Sequence, residues 1–229
     1  SLWTFGRNNY GQLGDGTTTD RLTPIKIVDE NVTKVAIGES HTVFLKNNGS
    51  VWGMGNNAFY RLGDLNDTNK LVPQLIMDAN VSDIACSDHG TFIFKTDGSL
   101  WAIGHNAHYR MGHNDRANHA TPQMVFDSGV QAVAGGREHS LFLKTDGSLW
   151  VAGWNKMSRV GTGADHESVQ LTKIVDSAVA GMSAGHNHSI YWTTDGDVYV
   201  FGSNIGGQLG LPGRTLFTHE KHVLYDPNQ

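Results

Sequence analysis

Histidine is the side chain best suited to acid–base or metal chemistry near neutral pH, and this chain holds twelve in 229 residues. Two groups stand close in sequence: His105-x-x-His108 with His113 and His119 following, and His186-x-His188. A zinc site needs three or four convergent ligands, and neither an HExxH step nor paired CxxC steps accompany these histidines. His41, His139 and His188 instead share one column of an internal repeat, which assigns them to hydrogen-bonded corners. Asp-Gly steps recur without the alternating aspartates of a calcium loop. Glycine-rich spacings lack the following helix that would cradle a phosphate. Ser, His and Asp recur as fixed columns, so no unique triad stands out. The reading is a protein that is not an enzyme and has no metal and no cofactor. Cys86 is alone, excludes an internal disulfide, and sits in an apolar column as a small buried residue.

The elements that position these residues follow from the repeat. The stretch Trp52 to Gly63, WGMGNNAFYRLG, is written five times, starting at positions 3, 52, 101, 150 and 199, a constant interval of 49 residues. Pro24, Pro73 and Pro122 align, as do Asp29, Asp78, Asp127 and Asp176, and Val32, Val81, Val130 and Val179. A period of this length marks a repeat architecture. Residues 1–229 are therefore read as one repeat-built domain whose fifth unit is incomplete, fading near Val223, Leu224 and Tyr225.

Within a unit, SLWTFG, TPIKIV, VTKVAIG and HTVFLK read as short strands separated by Gly, Asn, Asp and Thr. Asn48-Gly49, Asp97-Gly98, Asp146-Gly147 and Asp195-Gly196 are hairpin turns before the aromatic column. No segment holds a 3.6-residue period, so helix is not expected. Four antiparallel strands per unit describe an all-β propeller of four-stranded blades. Eighteen strands do not divide into whole blades, so the chain is read as a partial segment, of four to five blades, of a larger propeller.

The unit resembles the regulator-of-chromosome-condensation repeat, with its G-x-N-x-x-G-Q-L-G, its Pro, its V-x-x-(V/I)-A-x-G strand, its G-x-x-H-(S/T) corner and its D-G turn. Gly6, Asn8, Gly11, Gln12, Leu13, Gly14, Pro24, Gly38, His41 and Thr42 carry the match. Copies two to four depart from GQLG as YRLG, YRMG and SRVG, and Gly90 replaces the corner histidine, with His89 one place early. The resemblance implies a propeller, protein recognition, and, in members of the family, nucleotide exchange on a small GTPase. Exchange in the family uses an insertion within a blade, and the four ungapped units show none. A secreted inhibitor-type or glycan-binding propeller is the alternative.

Charge narrows the partners. Seventeen Lys and Arg against 22 Asp and Glu leave a net charge of −5, which disfavours nucleic acid and an anionic membrane. No apolar run is long enough to span a bilayer, so a soluble protein is expected, cytoplasmic or secreted. A protein partner, with a small GTPase as one version, remains, together with self-association through incomplete propeller edges.

Variation between copies points to the binding residues. The turns at one end of the unit repeat almost unchanged, whereas the loops at the other end differ, and repeat proteins bind where units vary. The expected partner-binding set is Arg7, Tyr10, Phe59, Tyr60, Arg61, Asp88, His89, His105, His108, Tyr109, Arg110, Arg137, Glu138, Trp154, Met157, Arg159, His186 and Asn187. Tyr60, Tyr109 and their arginines have a second reading, packing between blades. Trp154, in a variable column, is expected to face solvent.

Overall fold

A computed structural model describes residues 1–162, 167–211 and 213, and the backbone of 216–223. These residues contain eighteen strands and three single 3₁₀ turns. The first two strands, β1 (Leu2–Gly6) and β2 (Arg21–Val28), form a two-stranded sheet. Four sheets of four strands follow in chain order. They are β3 to β6 (Val32–Ile37, His41–Lys46, Val51–Gly55, Lys70–Met77) and β7 to β10 (Val81–Ser87, Gly90–Lys95, Leu100–Gly104, His119–Phe126). Next come β11 to β14 (Val130–Gly135, His139–Lys144, Leu149–Trp154, Ser168–Val175) and β15 to β18 (Val179–Ala184, His188–Thr193, Val198–Ser203, Leu216–Val223). Each sheet is an antiparallel meander. Of the positions expected to end the fifth copy, Leu224 and Tyr225 lie outside the described residues.

The sequence repeat and the blade are out of phase. A written unit starts at the aromatic strand, but a blade starts at the V-x-x-V-A strand, two strands earlier. The Asp-Gly turns stay within a blade, closing for example Lys46 N–H onto Ser50 O at 2.9 Å. The Asp29-type links instead cross from one sheet to the next. They turn on a left-handed residue in every copy: Asn31 (φ 67°), Asn80 (65°), Gly129 (75°) and Ala178 (67°). Asn and Gly suit that conformation and alanine does not.

The strand next to the aromatic one explains itself by burial. HTVFLK is buried along its whole length apart from its terminal lysine, because neighbours cover both of its faces, so it reads as an unbroken apolar run rather than an alternation. The outer strands carry Pro24 and Pro73 beside register shifts, as expected of a residue that cannot donate to a ladder.

Tertiary contacts divide the chain into two compact units, residues 1–105 with 118–128, and 106–117 with 129–229. In the first, Val43, Leu45, Val51, Leu62, Val81, Ile84 and Ile93 form a core. In the second, Leu141, Leu149, Val151, Val160, Val179, Tyr191 and Phe201 do so. Among the described residues no helix is long and apolar enough to cross a membrane.

Candidate functional site

The variable loops lie at the end of each blade where His41 pairs with Gly55 and His139 with Gly153. One buried asparagine holds each loop. Asn8, Asn57, Asn106, Asn155 and Asn204 are fully buried. Each side-chain Oδ1 accepts from the backbone N–H five residues on, at 2.9 to 3.1 Å. The Nδ2 groups donate across the loop, Asn8 to Thr17 O at 3.0 Å and Asn106 to Asp115 O at 2.7 Å. The preceding glycine lets the chain approach closely: a Cβ on Gly153 (φ 128°) would stand 2.4 Å from Glu138 O. The sequence marked this asparagine only as a fixed letter. Its presence in all five copies was the available signal for its role.

Beyond the asparagine the backbone is strained in copies two to four. Phe59 and Tyr60, His108 and Tyr109, and Met157 and Ser158 are consecutive left-handed pairs with φ between 55° and 66°. Gly11 and Gly207, at the Tyr60 column, adopt φ 79° without a side-chain penalty. The departures from GQLG therefore put two tyrosines and a serine on a backbone that suits glycine.

The next column resolves the open reading of the arginines. Arg61, Arg110 and Arg159 are 3%, 2% and 3% exposed. Their Nε groups donate to Ala58 O, Ala107 O and Lys156 O at 3.0, 2.9 and 2.7 Å. Arg61 also reaches Asp88 O at 3.1 Å, and Arg110 pairs with Glu138. These guanidinium groups brace the loops and the corners from inside, and present almost nothing to solvent. Tyr60 and Tyr109 are half-buried, with the Arg116 guanidinium 4.9 Å from the Tyr109 ring.

What the loops do present is a set of stacked rings. In the first unit Phe59, 41% exposed, stacks on His105 with centroids 4.0 Å apart, and His89 lies 5.9 Å from His105. In the second, His108 stacks on Trp154 at 4.8 Å and 9°. The two pairs occupy the same columns one repeat apart. Trp154 is thus half-buried rather than facing solvent freely, because the His108 ring covers one side of the indole. The His108 Nδ1 lies 2.7 Å from Ser168 Oγ, and burial followed by the charge of Arg110 holds the imidazole below its ordinary pKa. Met157 is half-buried in the same loop. Tyr10 and Arg7 are exposed in the first unit. At the corners His89 lies 3.7 Å from Glu39, beside half-buried Asp88, and Arg137 donates to His186 at 3.0 Å beside Asn187. The structure thus distributes the expected residues between exposed loop positions and interior braces.

The corner histidines are structural. His41 and His139 are fully buried, with Nε2 3.4 Å from Thr91 Oγ1 and 2.8 Å from Ser189 Oγ. Those hydroxyls donate to Arg61 O and Arg159 O at 2.8 and 2.7 Å, so each histidine holds a hydroxyl that holds a loop. Burial drives both imidazoles to a pKa of about 3, so they are neutral. A Cβ on Gly38, Gly136 or Gly185 would stand 2.1 to 2.4 Å from the histidine ring three residues on. Where Gly90 removes that ring, the glycine column carries Ser87 instead, which explains the departure in the second copy. Among the described residues no three His, Cys, Asp or Glu side chains converge as metal ligands.

A family model described as the RCC1-like domain matches residues 1–225, across all five copies of the motif. The chain belongs to the RCC1-like domain family. Solved structures agree with this chain in fold. Yeast RCC1 (Prp20) bound to Kap60 superposes with a TM-score of 0.84 at 24% identity, over 99% of this chain and 57% of that one. Prp20p from Saccharomyces cerevisiae, in a study of its binding to Gsp1p and histones, gives 0.83, 24%, 99% and 59%. Human WBSCR16 gives 0.82, 19%, 99% and 66%. This RCC1-like chain spans about three fifths of the length of these solved relatives. A search of curated proteins returns no match.

Proposed function

We propose that this chain is a non-enzymatic protein-recognition propeller that docks its partner on the variable loop ends of its blades. The observation that carries the reading is the pair of ring stacks, Phe59 on His105 and His108 on Trp154, mounted on strained left-handed backbone. Strain of this kind costs about 1 to 3 kcal/mol per residue and concentrates at functional segments. Aromatic and arginine side chains dominate interface hot spots, and they vary here between copies while the asparagine brace does not. Structures of yeast RCC1 (Prp20) concern its complex with Kap60 and its binding to Gsp1p and histones, which supports a protein as the class of ligand. A small GTPase served by nucleotide exchange is the finer version of the proposal.

The test captures partners by affinity and then measures affinity for each variant. Phe59→Ala and Trp154→Ala are expected to weaken binding by about 2 kcal/mol or more. Asp146→Asn, in the opposite turn, leaves affinity unchanged, since Asn48 already fills that column in an earlier copy. Trp154→Ala also costs about 1 kcal/mol of stability through the lost stack, so each melt accompanies each affinity. Acceleration of nucleotide release from a captured GTPase supports the exchange version. Affinities insensitive to both ring substitutions would overturn the reading.

A further inference from the structure

Resting on the protein-recognition reading and deepening it, we propose that the groove beside Trp154 is a seat for an acidic segment of the partner. In this seat a carboxylate lies between Arg137 and Lys156, and a neighbouring apolar side chain lies on the indole. The groove has a volume of about 250 Å³ and lies wholly within the second unit, between the loop bearing Trp154 and the corners bearing Arg137 and His186.

Its polar groups nearly all point one way. Arg137 is exposed, and the Lys156 ammonium stands 5.1 Å from the Trp154 ring. Arginine has no acceptor, so the 3.0 Å contact from Arg137 Nη1 makes His186 Nε2 the acceptor and places the ring proton on Nδ1. His186, with Nδ1–H as its remaining polar group, and Asn187, with its amide, complete the polar lining. Glu138 is the one carboxylate in the lining; it pairs with the buried Arg110, and its other oxygen lies 3.9 Å from Arg137 Nε. A rim of donors with its own carboxylate already paired calls for an acceptor from outside. A carboxylate meets a guanidinium in two parallel hydrogen bonds, which gives direction as well as energy.

The equivalent groove in the first unit, three repeats earlier, shows that this polarity is not a property of the repeat. There Arg7, Tyr10 and Asn56 share the lining with Glu39, whose side chain is 57% exposed and leaves a carboxylate at the rim. The local sign in the second unit also runs against the net charge of −5. That opposing field is screened beyond about 8 Å at physiological salt, so a short-range seat survives it. One exposed and one half-buried cation do not supply the many phosphate contacts that nucleic acid needs.

The six tryptophans give the experiment a direct readout through their indole N–H resonances, with Trp154 assigned by Trp154→Phe. The probe is a blocked peptide, Glu-Glu-Phe-Glu-Glu, set against its lysine counterpart and against inorganic phosphate alone. The acidic peptide is expected to shift the Trp154 resonance saturably, and the lysine peptide is not. The double variant Arg137→Gln with Lys156→Gln, both at exposed or half-exposed positions, should keep its melting temperature and weaken peptide binding at least about tenfold. Equal binding of the lysine peptide, phosphate binding as tight as the peptide, or an unaffected double variant would each overturn the acidic seat. A captured partner that depends on Trp154 but ignores the double variant defeats this inference alone. A partner indifferent to Phe59 and Trp154 defeats the recognition reading itself.

Discussion

At the scale of single residues, the buried corner histidines make the fold sensitive to acid. His41 and His139 stay neutral in the folded chain down to a pKa of about 3, whereas in the unfolded chain they titrate near 6.5. Below 6.5 the unfolded chain takes up protons that the folded chain refuses. Their stabilising contribution is therefore full above that pH and falls as pH drops from 6.5 toward 3. Between pH 7.5 and pH 5 each histidine accounts for about 2 kcal/mol of lost stability, a difference to be read by urea unfolding at both values. His139→Gln should remove about that much of the pH dependence while lowering stability at pH 7.5. The glycine three residues earlier is coupled to the ring: Gly136→Ala should cost about 2 kcal/mol, and less in a His139→Gly background, where the approach to Gly185 O at 2.7 Å remains. The second copy has already made that paired exchange, with Ser87 and Gly90.

At the scale of the element, the loops combine one rigid brace with one strained pair. Asn106→Ala removes a buried side chain that joins two ends of its loop, and should cost about 2 to 3 kcal/mol with the loss concentrated in the loop amides on hydrogen exchange. Ser158, buried at φ 55°, carries an Oγ with no hydrogen-bond partner among the described residues. Ser158→Gly is expected to raise stability by about 1 kcal/mol, measured by the same urea titration. Much of this was legible in advance. The constant interval fixed the strands, the hairpin turns and the loop end that varies. Three things were not legible. The left-handed pairs were hidden because Phe59, Tyr60 and His108 do not advertise that backbone as glycine does. The burial of Arg61, Arg110 and Arg159 was hidden because a charged letter gives no sign that loop carbonyls surround it. The cover over Trp154 was hidden because its partner, His108, comes from the previous copy.

At the scale of the whole chain, two matters follow from how blades and ends are arranged. The sheet of β1 and β2 has only two strands, and β1 has no partner on its other edge among the described residues. Beside it lies a cavity of about 430 Å³ lined by Leu2, Trp3, Phe5, Val35 and Ile37, of which Phe5 is 64% and Ile37 73% exposed. An open edge with apolar side chains invites pairing, so sedimentation should show concentration-dependent association that Phe5→Lys reduces. That residues 1–229 form a single domain is likewise a proposal, and a single calorimetric transition across both compact units would support it. The offset between written unit and blade has a genetic corollary. Any excision of one 49-residue period, wherever its cuts fall, joins the first part of one copy to the last part of the next and leaves every remaining strand its proper neighbour. Unequal crossing-over within such a gene therefore adds or deletes one blade's worth of strands in register, and only cuts that separate a coupled pair, such as Ser87 from Gly90, set a side chain against the histidine ring of the next copy. Length is thus the easiest trait of this array to change by recombination, and loop chemistry is what distinguishes the copies that remain.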